Sequence, residues 1–158
     1  MPRVKLNELP DYAFHYKFVL GPRDINYGGH LGNDSLVSII GTARANMFRS
    51  INLGEMDLGD GKAAIIMSDL VVNFKAESFM FDELSVDTHV GEISLTRFRL
   101  FHRIKKGDIV VALVETGLTS FDYSSRKITP IPSAFLNALA EKGIKQQNTA
   151  TAKEVTKG

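Results

Sequence analysis

The chain has 158 residues, of which 44% are hydrophobic and 23% charged, and its 19 Lys and Arg nearly balance its 18 Asp and Glu. This composition is typical of one globular domain, and the balanced charge argues against nucleic acid or an acidic membrane surface as a partner. The lack of cysteine excludes disulfides and thiolate catalysis and fits a cytoplasmic location. No signal peptide and no membrane span are evident.

The first third of the chain predicts a strand, a loop and a long helix. Residues 12–20 (YAFHYKFVL) are rich in aromatic and β-branched types and predict a strand that ends before Gly21-Pro22. A loop dense in glycine, asparagine and aspartate follows. From Asn33 to about residue 52, apolar residues recur at three- and four-residue steps and predict an amphipathic helix, with Asn33 or Asp34 as its N-cap.

Gly41 stands in the interior of this helix, where a glycine costs about 1 kcal/mol relative to alanine. We expect it to permit the close approach of another backbone or of a ligand. Ile39 and Phe48 widen the apolar stripe, which predicts a helix buried on more than one side.

Four strand-like segments follow, separated by turn-forming residues: 62–77, 83–93, 95–105 and 109–121. A short extended piece and a brief amphipathic helix after Pro132 come next. Successive hairpins make antiparallel sheet, and the long helix must bury its apolar face against that sheet. The sequence therefore predicts one α+β domain over residues 1–142, with the sheet wrapped around a central helix, and a flexible polar tail over residues 143–158.

The segment DINYGGHLGN at residues 24–33 resembles the signature of the 4-hydroxybenzoyl-CoA thioesterase branch of hotdog proteins. That signature runs roughly D-x-D-x-x-G-H-V-N-N, followed one helical stretch later by E-x-A-R. Four residues match without a gap: Asp24, Gly29, His30 and Asn33. Downstream, VVNFKAESFMFDELSV resembles the family's strand–turn–strand, which usually reads Y-x-x-P-x-x-x-G-D-x-L. The resemblance covers residues 12–135 and implies the hotdog fold.

Two departures from the family pattern affect the expected chemistry. The usual catalytic aspartate lies four residues before the histidine, where this chain has Asn26, and the helix acid is replaced by Gly41 and Thr42. Plant acyl-carrier-protein thioesterases, another hotdog branch, carry a D-x-N-x-H arrangement in an analogous loop. Asn26 therefore weakens the aspartate mechanism without abolishing thioester chemistry.

The resemblance implies that the protein hydrolyses an acyl-CoA thioester to a free acid and coenzyme A, with no cofactor and no metal. We expect Asn26 and His30 to position the thioester or a water, and Asp24 to supply negative charge. Free backbone N–H groups from Gly29 to Gly32 would form an oxyanion hole at the start of the helix. The residues expected to bind substrate are Tyr27, Gly28, Gly29, Leu31, Asn33, Asp34 and Glu77.

By the same resemblance, two hotdog chains join their sheets edge to edge, and the acyl-pantetheine arm enters between them. A homodimer or homotetramer is therefore expected, and Glu77 from the partner chain is a second candidate for activating the water. Basic residues on one face of the third predicted hairpin strand would meet the phosphates of coenzyme A or simply face solvent: Arg97, Arg99, Arg103 and Lys105. The histidines at 15, 89 and 102 are expected at the surface or at an interface.

Three alternative functions stay open at this point. The missing acids favour a non-catalytic acyl-thioester binding domain. An acyl-carrier-protein thioesterase would use the same loop. A hydratase acting on an enoyl thioester is a third possibility, although its spacing of aspartate and histidine does not fit Asp24 and His30. Each candidate side chain also has a purely structural reading, such as an Asx turn at Asn26 or a helix cap at Asp34.

Overall fold

The computed structural model describes residues 3–145, so most of the tail predicted for residues 143–158 lies outside the described part of the chain. Within that part, no helix is long and apolar enough to span a membrane. The elements in chain order are β1 (Phe14–Val19), a 3-10 turn (Pro22–Asp24), α1 (Asn33–Ser50), β2 (Ala64–Phe74), β3 (Glu83–Ile93), β4 (Arg97–Lys106), β5 (Ile109–Asp122), β6 (Lys127–Ile128) and α2 (Ser133–Glu141).

All strands belong to one antiparallel sheet with the order β1-β3-β4-β5-β2, and β6 adds a short pair to β5. The predicted α+β arrangement is confirmed. Because hairpins join β3, β4 and β5 directly, these strands form the centre of the sheet. β1 and β2 lie at its two edges.

Helix α1 covers one face of the sheet. Its buried residues repeat at three- and four-residue steps, as the sequence predicts: Leu36, Ile39, Ile40, Ala43, Met47 and Phe48. They pack on inward-facing strand residues such as Ile104 and Val114. Helix α2 closes the other end of the core, where Phe135 lies 5.7 Å from the ring of Phe48 and 5.1 Å from the ring of Phe98. Burial of each such side chain stabilises the fold by about 2 kcal/mol.

The N-cap of α1 is Gly32, and the predicted caps Asn33 and Asp34 are its first two helical residues. The two predicted caps lie one and two residues too late, because the hydrogen bond from Leu36 N–H to the carbonyl of Gly32 already closes the first turn at 3.0 Å. The Asp34 carboxylate lies close to the α-carbon of Gly32. Its charge stabilises the positive end of the helix without a side-chain cap bond.

Gly41 has open space beside it within the described chain. A β-carbon built there would have a single neighbour within 4 Å, the Arg44 guanidinium at 4.0 Å. The expectation that Gly41 admits another backbone is therefore not met by any segment of residues 3–145. A close neighbour of Gly41 would have to come from outside residues 3–145, for example from a ligand or a second chain.

His102 is buried at 1% exposure, which corrects the expectation that it lies at a surface or interface. It shares the inward face of β4 with Leu100 and Ile104, and its Nδ1 lies 2.8 Å from the hydroxyl of Thr88. Burial, assisted by the positive charge of Arg44, lowers the pKa of His102 to about 3. The imidazole is therefore neutral in the folded protein near pH 7.

Candidate active site

An open groove of about 440 Å³ runs along the start of α1. Four of its residues come from the glycine-rich loop and the first turn of the helix: Asn26, His30, Leu31 and Asn33. The others are residues 74–78, at and after the end of β2, and Val111 of β5. We call this feature the site groove. It joins polar groups of the loop to an apolar floor, a combination typical of small-molecule sites.

The loop before α1 folds on its own backbone. Asn26 N–H donates to the carbonyl of His30 at 2.9 Å, and Gly29 N–H donates to the carbonyl of Asn26 at 3.0 Å. Gly29 has φ of 82°, in the left-handed region that favours glycine. This turn fixes the spacing between Asn26 and His30, so both side chains reach the site groove.

Asn26 forms an Asx turn, which was one of its two sequence-based readings. Its Oδ1 accepts a hydrogen bond from Gly28 N–H at 2.9 Å. That bond uses the oxygen and leaves the two amide N–H donors without a partner among residues 3–145. The structural role and a role toward substrate are therefore compatible in the same side chain.

His30 has one ring nitrogen tied to the backbone and one facing the site groove. Its Nδ1 lies 3.2 Å from the carbonyl oxygen of Leu31, and because a carbonyl only accepts, Nδ1 carries the proton in this contact. Nε2 is then the basic nitrogen of the neutral ring. A methyl group on Gly28 would lie 3.2 Å from His30 Nε2 and 3.1 Å from Asn26 Oδ1, so glycine at position 28 keeps this corner open.

Glu77 and His30 lie on adjacent backbone segments of the same chain. The Glu77 Oε1 atom is 3.9 Å from His30 Nε2, and the two side chains are 66% and 36% exposed. Ser78 follows Glu77 and Leu31 follows His30, and a 2.8 Å hydrogen bond from Leu31 N–H to the Ser78 carbonyl joins the two segments. This proximity was not foreseen, because the sequence suggested Glu77 only as a substrate contact or as a residue of a partner chain.

Asp24 lies outside the site groove. Its carboxylate accepts a hydrogen bond from Gly21 N–H at 2.8 Å, which caps the 3-10 turn, and its carbonyl accepts from Gly32 N–H at 2.9 Å. The first bond closes the 3-10 turn, and the second holds that turn against the start of α1. Nothing in this geometry directs the charge of Asp24 to the corner occupied by Asn26 and His30.

The oxyanion hole expected from Gly29 to Gly32 needs correction. Three of these four N–H groups already donate within the fold: Gly29 to Asn26, Leu31 to Ser78 and Gly32 to Asp24. The fourth, the His30 N–H, has no acceptor within residues 3–145, and further free donors follow at the N–H groups of residues 33–35 in the first turn of α1. Apart from the His30 N–H, the free donors at the positive end of the helix dipole thus belong to the first helical turn and not to the glycine-rich loop.

The remaining predicted substrate residues divide between groove and rim. Leu31 and Asn33 line the site groove. Tyr27 is fully exposed at the tip of the loop, next to the exposed Gly28 and Gly29. The structure adds Ser78, which sequence reasoning missed; it is fully buried, and its hydroxyl has no hydrogen-bond partner within residues 3–145. No short motif marks Ser78, because only the long-range contact with Leu31 brings it to the site groove.

The basic residues of β4 share one face of the sheet, as predicted, but most are neutralised there. Arg99 forms ion pairs with Asp69 and Glu115. Arg103 and Lys105 pair with Asp87, at 2.9 and 3.7 Å. These pairs reduce the positive charge available to the phosphates of a coenzyme A molecule at this face.

Asp87 is the centre of this outer-face network. Burial opposes its charge, but hydrogen bonds from His15 and Arg103 outweigh that effect and hold the pKa of Asp87 below its ordinary value. The N-terminal segment covers the same row, because Asn73 of β2 accepts from Leu6 N–H at 2.7 Å and donates to the Val4 carbonyl at 3.0 Å. The network therefore holds down residues before β1 and lies apart from the site groove. Across residues 3–145, no cluster of three or more His, Asp or Glu side chains is arranged to hold a metal.

Comparison with known proteins agrees with this architecture. The family model described as the thioesterase-like superfamily matches residues 20–139. A 1,4-dihydroxy-2-naphthoyl-CoA thioesterase from Synechocystis superposes with a TM-score of 0.73 and 19% identity, over 81% of this chain and 96% of that chain. No curated protein matches the chain in sequence.

Two further solved structures have the same fold. A gentisyl-coenzyme A thioesterase gives a TM-score of 0.70 and 20% identity, over 78% of this chain and 98% of that chain. A protein from Staphylococcus aureus, solved in complex with CoA, gives 0.76 and 13%, over 98% of both chains. Identities this low concern the fold alone, and together with the family match they confirm the predicted hotdog fold.

Proposed function

The chain belongs to the thioesterase-like superfamily, and from this membership we propose that it hydrolyses an acyl-CoA thioester to the free acid and coenzyme A. The observation that carries the proposal is the corner above Gly28, where Asn26 and His30 meet at the mouth of the site groove. A free imidazole nitrogen and free amide donors are the two groups that thioester hydrolysis requires, one for the water and one for the carbonyl oxygen.

In this proposal His30 is the general base. Its Nε2 takes a proton from a water as the water oxygen attacks the thioester carbonyl carbon. The amide N–H of Asn26 donates to the carbonyl oxygen as negative charge develops there. When the C–S bond breaks, the thiolate leaves and takes the proton from His30, so one water and one thioester give one acid and one thiol.

The substrate is proposed to lie along the site groove with its acyl group on the apolar floor. Leu31, Phe74 and Val111 supply that floor. Asn33 and Asp34 begin helix α1, and the free N–H groups of its first turn would attract an electron-rich group of the substrate. Tyr27, Gly28 and Gly29 form the exposed rim over which the pantetheine arm would pass. Asp24 takes no direct part in this proposal, because its carboxylate holds Gly21.

We further propose a homodimer in which the β2 strands of two copies pair edge to edge, with a homotetramer as the larger alternative. In the described chain β2 has a strand neighbour on only one side, and Met67 and Phe74 on it are 47% and 53% exposed. Such an open, partly apolar edge favours strand pairing. Light scattering should give at least twice the chain mass for the wild type, and Met67→Lys should lower it.

Release of free thiol from a panel of acyl-CoAs, short to long and aliphatic to aromatic, tests the proposed activity. We expect release above background from the wild type and a loss of roughly a hundredfold or more in His30→Ala. Equal release from both proteins would remove His30 from the mechanism.

A non-catalytic binding domain is the second candidate function. The observation that favours it is the helix position of the family acid, where Gly41 leaves open space and no carboxylate. Retention of acyl-CoA by the wild type without thiol release would support this candidate. Thiol release only from an acylated carrier protein would instead support an acyl-carrier-protein thioesterase.

A further inference from the structure

We propose that Glu77 is a positioning residue that acts through His30 of its own chain, taking the place expected for Asp24 as the negative charge of the site. This inference rests on the proposed hydrolysis of a thioester and deepens it. It differs from the sequence-based view of Glu77 as a substrate contact or as a residue contributed by a partner chain.

The first support is that the backbone, and not chance contact of two surface side chains, brings the pair together. Leu31 N–H donates to the Ser78 carbonyl, and these residues directly follow His30 and Glu77. The segment that carries Glu77 is also fixed to β5, because the N–H groups of Lys75 and Ala76 both donate to the carbonyl of Val111, at 2.8 and 3.1 Å. The backbone of the folded chain therefore places Glu77 beside His30.

The second support is the direction of the imidazole. Nδ1 is occupied by the Leu31 carbonyl, so Nε2 is the nitrogen that faces the Glu77 carboxylate at 3.9 Å. This separation is too long for a hydrogen bond and too short for a water between the two atoms in a straight line. It suits an ion pair that gains strength when Nε2 takes a proton. The carboxylate thus favours the protonated ring of the transition state over the neutral ring of the ground state.

The third support is solvent exposure. Both side chains are partly exposed, and water weakens their attraction. Glu77 and His30 both line the site groove, so a bound thioester would exclude water from their surroundings. Because attraction between charges grows as water is removed, the effect of Glu77 is expected mainly on turnover and less on substrate binding.

A double-mutant cycle on turnover tests this proposal. Glu77→Gln keeps the shape and removes the charge, and we expect kcat to fall by about tenfold or more with KM changed less than threefold. In a His30→Ala background the same substitution should have no further effect, because its route is gone. Glu83→Gln is the matched control: Glu83 is 63% exposed and pairs with Lys17 at 3.7 Å outside the site groove, so kcat should stay unchanged.

An effect of Glu77→Gln that persists in the His30→Ala background would overturn the proposal, because Glu77 would then act on the water directly. Thermal unfolding of the wild type, the two single variants and the double variant at pH 5.5 gives a measurement that needs no substrate. At pH 5.5 we expect the double-mutant cycle to give a coupling free energy between the two side chains that stabilises the folded state, and at pH 9 we expect none. If no thioester is hydrolysed, the proposed function fails, and this coupling still decides whether Glu77 acts on His30: zero coupling at both pH values overturns the pairing.

Discussion

Leu31 N–H donates a 2.8 Å hydrogen bond to the carbonyl oxygen of Ser78, and this single bond joins the glycine-rich loop to the segment that follows β2. On one side of it lie Asn26 and His30, on the other Glu77. Because the bond is between backbone atoms, substitutions of these side chains can be made without removing the contact that assembles the site.

Asn26 can be dissected because its oxygen and its nitrogen have different roles. Asn26→Ala removes both, so we expect it to cost about 1 kcal/mol of unfolding free energy through the lost bond to Gly28. Asn26→Asp keeps the acceptor oxygen and should unfold like the wild type. In the proposed mechanism both variants lower kcat by roughly tenfold or more, because neither can donate to the carbonyl oxygen.

Denaturant unfolding and thiol-release kinetics of the two variants check this prediction. An Asn26→Asp variant that is faster than the wild type would show that a carboxylate at position 26 works as a base here, as in the family pattern. It would contradict the donor role proposed for Asn26.

Phe81 is held in a strained backbone conformation. Its φ is 70° in the turn between β2 and β3, where the family pattern has glycine, and its side chain is 75% exposed. Phe81→Gly relieves the strain and gives up little burial, so we expect the unfolding free energy to rise by about 1 kcal/mol. Phe81→Ala is the matched control, since alanine keeps the β-carbon that causes the strain. Urea denaturation should find a gain for glycine and none for alanine.

The lowered pKa of the buried His102 leads us to expect a specific dependence of stability on pH. Its pKa is about 3 in the folded protein and 6.5 when unperturbed, so the unfolded chain binds one more proton between these values. The contribution of His102 to the free energy of unfolding is therefore fully present above about pH 6.5. It decreases as the pH is lowered, by about 2 kcal/mol from pH 7 to pH 5. The carboxylates with lowered pKa, such as Asp87, lose their contribution only at lower pH, below their ordinary value of 3.8.

The His102→Asn variant is the control for this dependence. Asparagine can still bond the Thr88 hydroxyl near the position of Nδ1, but it does not titrate. Urea denaturation from pH 5 to pH 7 should therefore give a shallower slope for the variant. An equal slope in both proteins would assign the pH dependence to other groups.

Local patterns predicted most of the secondary structure, and long-range contacts account for what they missed. The 3.6-residue period gave α1, and turn residues separated the hairpin strands. The burial of His102 also had a sequence signal, since it falls at the same alternate positions of β4 as Phe98, Leu100 and Ile104, and therefore on the same face. The pair of Glu77 and His30 had none, because the two residues are far apart in sequence and meet only through the backbone bond between Leu31 and Ser78. Three of the four predicted oxyanion donors were misplaced for a similar reason: the folded loop already uses those N–H groups in backbone hydrogen bonds.

Gly41 gives a test that connects stability to assembly. Within the described chain a methyl group at this position meets only Arg44, so Gly41→Ala should stabilise an isolated chain by about 1 kcal/mol through helix propensity alone. Gly117 on β5 is the contrasting position, because a β-carbon there would collide with the side chains of Asp69 and Arg99, and Gly117→Ala should destabilise. Thermal unfolding and light scattering of both variants distinguish the open position at Gly41 from the crowded position at Gly117. If Gly41→Ala instead lowers the mass in solution together with the stability, a second chain contacts this face of α1. If it lowers turnover alone, the substrate does.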